Sequence, residues 1–177
     1  MNVMFQFVKK YSYFSKKKLI FFIVMRPEPG HILATIPRLS TEWSVELYMR
    51  FFVFPVEWTN ILHLTNGSFR KEFGERIPAI FFRSKCNCLR ISSSVNNSIY
   101  FMDSDRIYEN QTYFLDIQQR YISNGQYRFF VNINNIEVNS MTNTNAMQFY
   151  NVKMYLNGVN NQRPSVDIWN IKHTNFL

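Results

Sequence analysis

The chain has 177 residues, 46% hydrophobic and 18% aromatic, and its 20 Lys and Arg residues against 12 Asp and Glu give a formal net charge of +8. A chain of this length is expected to form one domain that buries about 70% of its unfolded surface without metals or disulfides. Two cysteines are too few for a disulfide-stapled scaffold, and the hydrophobic content excludes a disordered chain. The sequence also lacks the several apolar stretches of about 20 residues typical of a polytopic membrane protein.

The basic excess lies mainly at the amino terminus. Residues 1–26 contain six basic residues and no acidic one, which leaves fourteen basic against twelve acidic residues, or about +2, for residues 27–177. The apolar run 19–25 follows two basic clusters, an order typical of a secretory signal, although seven residues are too few to span a bilayer. We expect residues 1–30 to form a basic leader, either an export or anchor segment or a solvated tail, ahead of a domain at 31–177.

Beyond residue 30, short runs rich in β-branched and aromatic residues are separated by Asn, Gly, Ser and Pro. They predict strands at 31–36, 43–54, 59–64, 77–83, 89–93, 99–102, 113–119, 127–133, 149–156 and 166–173. This spacing is typical of an all-β sandwich or barrel. Some runs alternate strictly: Val45, Leu47 and Met49 share one face, opposite Glu46 and Arg50, as expected of a half-buried strand.

Asparagine and glycine mark the turns between these runs. The Asn-Gly pair at 124–125 precedes a strand whose inward residues would be Phe129, Val131 and Ile133. The Asn-Asn pair at 134–135 is predicted to turn the chain, because asparagine tolerates left-handed backbone. We therefore interpret most of the 20 asparagines as turn residues rather than as a polar ligand-binding rim.

Eight segments follow one another in the order of a known family: 43–47, 59–65, 74–82, 89–93, 114–119, 127–136, 149–155 and 168–171. Among them, 74–78 gives Gly-x-Arg-x-Pro, 114–119 resembles a hydrophobic-x-Ile-x-Gln strand, and 149–155 resembles Phe-x-Asn-Val-Lys-Val-Tyr. The chain thus resembles concanavalin A-like jelly-roll modules, related in fold to laminin G and pentraxin domains, of extracellular invertebrate proteins. The resemblance implies an antiparallel two-sheet β-sandwich in a secreted or membrane-tethered protein.

Laminarinase-type glucanases share this broad fold, so a glycoside hydrolase is one alternative function. Retaining hydrolysis needs two carboxyl groups about 5–5.5 Å apart. The nearest candidates, Asp103 and Asp105 with Glu109, have the wrong spacing and lie beside a predicted turn, so we assign no catalytic residue and expect no enzyme. Asp103 and Asp105 are instead candidate ligands for calcium, a hard cation that binds six to eight oxygens, and no other cofactor is expected.

Histidines and cysteines form no zinc signature. His31, His63 and His173 are scattered, and only Cys86 and Cys88 are present. On an extended strand these two cysteines lie about 6.5 Å apart, which fits disulfide geometry poorly unless the chain bulges. Two free thiols and pairing with another chain both stay open.

Basic residues among aromatic ones also raise nucleic-acid binding. The near-balanced charge of residues 27–177 argues against it, as does the alternation that places Phe in a sandwich core. We expect no nucleic-acid partner, and membrane contact only through the basic leader. Arg83, Lys85 and Arg90 form a local basic patch suited to an acidic glycan or an anionic lipid, unless they are ordinary edge charges.

The sequence therefore predicts a noncatalytic extracellular recognition or adhesion module that binds glycan or protein through its loops or its concave face. A structural spacer domain is the remaining alternative. The candidate ligand-binding residues are aromatic: Trp58, Tyr100, Tyr108 and Tyr121. Three N-x-[ST] sequons, beginning at Asn66, Asn96 and Asn110, are candidate glycosylation sites.

Overall fold

The computed structural model describes residues 18–157 and 164–176, which form twelve β-strands. The strands are β1 (Lys18–Phe21), β2 (His31–Leu39), β3 (Glu42–Val53), β4 (Thr59–Thr65), β5 (Ala79–Arg83), β6 (Cys88–Val95), β7 (Ser98–Arg106), β8 (Thr112–Ser123), β9 (Gln126–Ile133), β10 (Ile136–Asn143), β11 (Phe149–Leu156) and β12 (Ser165–Phe176). Sheet A has the order β1-β12-β3-β8-β9-β10, and sheet B has the order β2-β11-β4-β5-β6-β7. All pairings between these strands are antiparallel, which confirms the predicted two-sheet β-sandwich.

Alternation in the sequence decides which side chains enter the core. Val45, Leu47 and Met49 of β3 are fully buried, whereas Glu46 and Arg50 between them are half-buried on the outer face, as predicted. Burial of each such apolar side chain stabilises the fold by about 1.5–3 kcal/mol relative to leaving it in water.

The core lies between the two sheets. Phe51 of sheet A packs against Phe82 of sheet B with 5.0 Å between ring centroids. Phe129 and Val131 of β9 are fully buried as predicted, and Ile133 at the strand end is half-buried. The buried apolar side chains of both sheets form one cluster.

All ten predicted strands are present, with shifted ends, and two further strands were not predicted. One of these, β10, is mostly exposed at the edge of sheet A and lies in an asparagine-rich segment. The other, β1, is a four-residue strand at the opposite edge. β10 buries few side chains and carries a weak apolar signal, whereas β1 lies in the apolar run that was interpreted as part of the leader.

Left-handed asparagines make many of the turns. Asn134 and Asn135 have φ of 53° and 65°, and the hairpin pair Asn124 and Gly125 has φ of 49° and 73°. Ten asparagines of the described residues adopt positive φ. The predicted use of asparagine as a turn residue is confirmed.

Part of the predicted leader belongs to the sandwich. β1 pairs with β12, Met25 exchanges two main-chain hydrogen bonds with Ile168, and the Met25 side chain is buried in the core. Residues 18–25 thus extend sheet A, whereas residues 1–17 lie outside the described part of the chain. An export or anchor role for residues 1–30 stays a prediction. Among the described residues, no helix has the length and hydropathy needed to cross a bilayer.

Candidate functional site

A cavity of about 570 Å³ opens on the outer face of sheet B. Its walls come from the segment before β4, the β4–β5 loop (residues 66–78), β6 and β7. The lining residues are Trp58, Lys71, Arg76, Arg90, Ser98, Ile99 and Phe101. Three are cationic and two are large aromatics, and no acidic side chain among the described residues lines the cavity.

Strand alternation places the functional side chains on this outer face. On β6, Leu89 and Ile91 are fully buried in the core, so Arg90 between them points outward. On β7, Met102 is buried in the core and Phe101 is 52% exposed. Because Arg90 and Phe101 lie on neighbouring strands, their side chains meet at the cavity.

Aromatic rings and arginines are layered at the cavity wall. The guanidinium carbon of Arg90 lies 4.1 Å from the ring centroid of Phe101 and 5.4 Å from that of Trp58. Arg83 also lies over Trp58, at 5.6 Å, and the Trp58 ring packs on Phe81 at 5.4 Å. Each cation–π contact contributes about 0.5–2 kcal/mol. These contacts hold Trp58 in place while leaving 43% of it exposed.

Asp103 holds two of the arginines. Its Oδ1 accepts from Arg90 Nε at 2.7 Å, and its Oδ2 accepts from Arg90 at 2.6 Å and from Arg83. The hydrogen bond from Arg90, with the charges of both arginines, lowers the pKa of Asp103. Both carboxylate oxygens are therefore already bonded to cations. Nor do the described residues contain a cluster of three or more His, Cys, Asp or Glu side chains, so the geometry lends no support to calcium at Asp103 and Asp105.

Arg76 is the most deeply buried cation of the cavity. The residue is 8% exposed, and its guanidinium lies 4.8 Å from the ring centroid of Phe81. One terminal nitrogen donates to Ser92 Oγ at 3.4 Å, whereas Nε has no hydrogen-bond partner within the described part of the chain. Burial, with the charge of Arg90, lowers the pKa of Arg76. The site therefore contains a buried cation with unused hydrogen-bonding capacity.

His63 fixes the loop that carries Lys71 and Arg76. Its ring lies outside the core on β4, accepts at Nδ1 from Asn60 Nδ2 at 2.9 Å, and donates from Nε2 to the main-chain oxygen of Glu75. Desolvation by burial lowers the pKa of His63 to about 4, so the ring is neutral at pH 7 and keeps this tautomer. Ser94 reinforces the loop by accepting from the Gly74 amide and donating to the Arg76 carbonyl.

Of the four aromatic residues predicted to bind ligand, only Trp58 lines the cavity. Tyr100 points toward the core, where its hydroxyl donates to Asn139 at 2.7 Å and its ring packs against Phe129. Tyr108 and Tyr121 are exposed, but Tyr108 precedes β8 and Tyr121 lies near the end of that strand, so they share no site. Arg76 was not among the sequence candidates, although it is the arginine of the Gly-x-Arg-x-Pro motif.

The three acidic residues considered for catalysis do not form a catalytic pair. Asp103 is bonded to arginines, Asp105 is exposed on β7, and Glu109 accepts a hydrogen bond from the Phe54 amide at 2.6 Å. Each carboxylate thus has a separate environment.

A different acidic pair lies on the outer face of sheet A. Glu46 of β3 and Asp116 of β8 are directly opposite in register. Glu46 pairs with Lys172, and Asp116 accepts from Gln118 and Asn132. The strands β3 and β8 are neighbours in the sheet but lie far apart in the sequence, so no local motif reveals this pair.

The two cysteines form a disulfide with each other. The tight turn at 84–87, where Asn87 has a φ of 50°, brings their Cα atoms to 5.2 Å. The turn brings the two cysteines closer together than an extended strand would, as a bond between Cys86 and Cys88 requires. The alternatives of free thiols and of pairing with another chain are therefore wrong.

The three sequons all lie at turns. Asn66 and Asn110 are exposed at strand ends. Asn96 is also exposed, but its amide nitrogen donates to the Thr142 carbonyl at 3.0 Å and its side-chain oxygen accepts from Thr144. Glycosylation of Asn96 therefore requires that this bond to β10 opens.

Comparison with known proteins supports the fold. No protein-family model matches the chain, and no curated protein matches it. Among solved structures, the chain is similar to the receptor-binding domain of botulinum neurotoxin D, at 12% identity and a TM-score of 0.55, covering 91% of this chain and 41% of that one. It is similar to endo-β-1,4-glucuronan lyase from the fungus Trichoderma reesei, at 10% identity and a TM-score of 0.52, covering 90% and 80%.

Trypanosoma rangeli sialidase is a further structural neighbour, at 10% identity and a TM-score of 0.52, with 77% of this chain and 21% of that one covered. The chain thus spans about two fifths of the toxin domain and one fifth of the sialidase. At these identities the likeness shows a shared β-sandwich fold.

Proposed function

We propose that the chain is a noncatalytic carbohydrate-binding module of the concanavalin A-like type, and that the cavity on sheet B is its binding site. The observation that carries this proposal is the partly exposed Trp58 ring, held rigidly by Phe81 and two arginines at the mouth of the cavity. A rigid aromatic ring gives a flat apolar surface for the C–H face of a sugar at low entropic cost. Arg76, Arg90 and Lys71 supply donors for hydroxyl oxygens.

The size and composition of the cavity fit a small saccharide. Ligand pockets span about 300–1,000 Å³ and combine apolar walls with a few convergent polar groups. At about 570 Å³, with two aromatic and three cationic side chains, the cavity matches this description.

The names of the structural neighbours agree with a carbohydrate ligand. They include a glucuronan lyase and a sialidase. The chain spans most of the lyase but only about one fifth of the sialidase. The neighbours therefore support carbohydrate as the ligand class, and the particular sugar has to be inferred from the cavity.

An extracellular location is part of the proposal. The Cys86–Cys88 disulfide is expected to persist in an oxidising compartment, and the two exposed sequons at Asn66 and Asn110 fit a secreted glycoprotein. If the chain binds no carbohydrate, the next alternative is that the same face binds an extracellular protein. If it binds no protein either, a structural spacer role is the remaining alternative.

Glycoside hydrolysis is the second candidate, favoured by the cross-strand pair of Glu46 and Asp116. Both carboxylates are occupied, Glu46 by Lys172 and Asp116 by two amides, which favours a structural role for the pair. Release of reducing sugar from β-glucans that disappears in Glu46→Gln and Asp116→Asn would make the chain an enzyme.

A glycan array probed with the full chain tests the main proposal. We expect a defined set of saccharides to bind wild type, and Trp58→Ala to lose that signal. Tyr121→Ala is the matched control, since Tyr121 is 51% exposed and lies outside the cavity. A blank array, or equal loss in both variants, would contradict carbohydrate binding at this cavity.

A further inference from the structure

The cavity contains a cation that the described part of the protein leaves without a counter-charge. Arg76 is more than nine-tenths buried, lines the cavity, and makes no ion pair with any described residue. Within the described part of the chain, its Nε has no acceptor and its guanidinium forms one hydrogen bond, to a neutral serine at 3.4 Å. A buried charged donor without a strong acceptor is costly, so the site favours a ligand that supplies one.

The remaining charges around the cavity do not meet this need. Asp103 belongs to the same network, but its two oxygens already accept from Arg83 and Arg90.

The acidic residues of the loop that carries Arg76 form no ion pair with it among the described residues. Glu72 contacts the exposed Arg70 instead. Glu75 has a buried carboxylate oxygen without a hydrogen-bond partner in the described part of the chain, and it does not line the cavity. Lys71, on the same loop, also lacks an ion pair among the described residues. The described side chains that line the cavity therefore carry a net positive charge.

We propose that the cavity selects an acidic saccharide and that Arg76 binds its carboxylate. This inference rests on the proposed function and names the ligand class. Arginine presents planar, parallel donors that match the two oxygens of a carboxylate. Trp58 and Phe101 form apolar walls for the sugar ring, and Arg90, held in place by Asp103, is the second cation within the same cavity.

The small size and aromatic walls of the cavity favour a sugar carboxylate over a polyanionic strand. Nucleic acid is bound along a continuous basic groove, in which many phosphates contribute. Here two lining cations, Lys71 and Arg76, have no ion pair within the described part of the chain, and they share one cavity of about 570 Å³. One carboxylate on one sugar ring satisfies this arrangement.

The test compares matched acidic and neutral saccharides on the full chain. Tryptophan fluorescence or calorimetry measures the affinity for oligoglucuronate, its methyl ester and cello-oligosaccharide, and for sialyllactose and lactose. At least one acid is expected to bind about tenfold or more tightly than its neutral partner. Because the methyl ester keeps the sugar ring and removes the negative charge at the cost of one added methyl group, this arm needs no variant and stays informative if substitutions disturb folding.

Substitutions at Arg76 test whether this residue causes the preference for the acidic saccharide. Arg76→Gln is expected to abolish the preference for the acid while retaining weak binding of the neutral sugar, and Arg76→Lys to restore part of it. Arg70→Gln removes the same charge from the same loop at a side chain that is 75% exposed and outside the cavity lining, so it is expected to keep the preference.

The outcomes separate the inference from the proposed function. Equal binding of acid, ester and neutral sugar, or a preference unchanged in Arg76→Gln, would overturn the acidic-sugar inference and leave the carbohydrate-binding proposal standing. Tighter binding of a sulfated saccharide or of single-stranded nucleic acid than of any carboxylated sugar would also overturn it. Failure of every saccharide to bind would overturn both.

Discussion

His63 of β4 donates from Nε2 to the main-chain oxygen of Glu75, the residue immediately before Arg76. A neutral, buried histidine thereby ties the β4–β5 loop to sheet B and sets the position of the buried cation. The stability of the sandwich and the geometry of the cavity are thus coupled through one side chain.

Replacing His63 is expected to weaken both. His63→Leu leaves the Glu75 carbonyl and the Asn60 amide without their partner, and each unsatisfied buried group costs about 1–3 kcal/mol. We expect the free energy of unfolding to fall by about 2–4 kcal/mol in urea titrations. His31→Leu, at an exposed position on β2, is the control, with an expected change within about 0.5 kcal/mol. Equal effects of the two substitutions would contradict the anchoring role.

Acid is expected to destabilise the fold through two histidines. Burial lowers the pKa of His63 and of His173 from 6.5 to about 4. The unfolded chain binds these protons more readily than the folded one, so stability is fully present above pH 6.5 and is lost as the pH falls toward 4. Each histidine contributes up to about 3 kcal/mol to this loss.

Unfolding free energies measured at intervals between pH 7 and pH 4 test this dependence. In His173→Gln the slope over this window is expected to fall by about half, because one of the two proton sites is gone. Asp103 contributes mainly below this window, because its hydrogen bond from Arg90 and the charges of both arginines lower its pKa. A stability that is constant from pH 6.5 to 4 would contradict the buried neutral state.

Asp103→Asn is expected to leave Arg83 and Arg90 without their shared counter-charge. Since the Asp103 side chain is 31% exposed and its field is screened by solvent, the expected loss is about 1 kcal/mol in denaturant unfolding. Asp105→Asn is the matched control on the same strand, because Asp105 makes no ion pair among the described residues, and no loss is expected. A loss in the control as large as that in Asp103→Asn would mean that the arginine contacts contribute nothing.

The left-handed turn at Asn135 allows a backbone test. At a φ of 65°, a β-branched side chain is strained by about 1–2 kcal/mol, whereas glycine is not. Thermal unfolding is expected to show Asn135→Val destabilised by this amount and Asn135→Gly within about 0.5 kcal/mol of wild type. Equal stability of the valine and glycine variants would mean that position 135 does not require a residue that tolerates left-handed backbone.

How far the sequence predicts this molecule depends on the range of the interactions involved. Alternation along one strand is a local property, so the inward faces of β3 and β9 were predicted from residues such as Leu47 and Val131 and are confirmed. The mostly exposed strand β10 has a weak apolar signal, and β1 lies in the apolar run assigned to the leader, so neither strand was predicted. Tyr100 points inward because it shares one face of β7 with the core residue Met102. The four consecutive apolar and aromatic residues predicted as this strand do not show which face meets the core.

The site was predicted in part, through Trp58 and the basic patch of Arg83 and Arg90. Arg76 escaped because its burial depends on the path of the β4–β5 loop, which His63 and Ser94 fix from other strands. The Glu46–Asp116 pair depends on the register of β3 with β8 and is likewise invisible in one-dimensional spacing. The Gly-x-Arg-x-Pro motif contains Arg76, but the motif alone does not show that this arginine is buried beside a cavity.

Carbohydrate binding by the full chain with and without the Trp58 ring tests the proposed site most directly. We expect saturable binding of at least one saccharide to wild type and a loss of about tenfold or more in Trp58→Ala, which removes the stacking surface, with both proteins folded at the assay temperature by circular dichroism. Binding that is unaffected by Trp58→Ala, or absent for all saccharides in the wild-type chain, would contradict carbohydrate binding at this cavity.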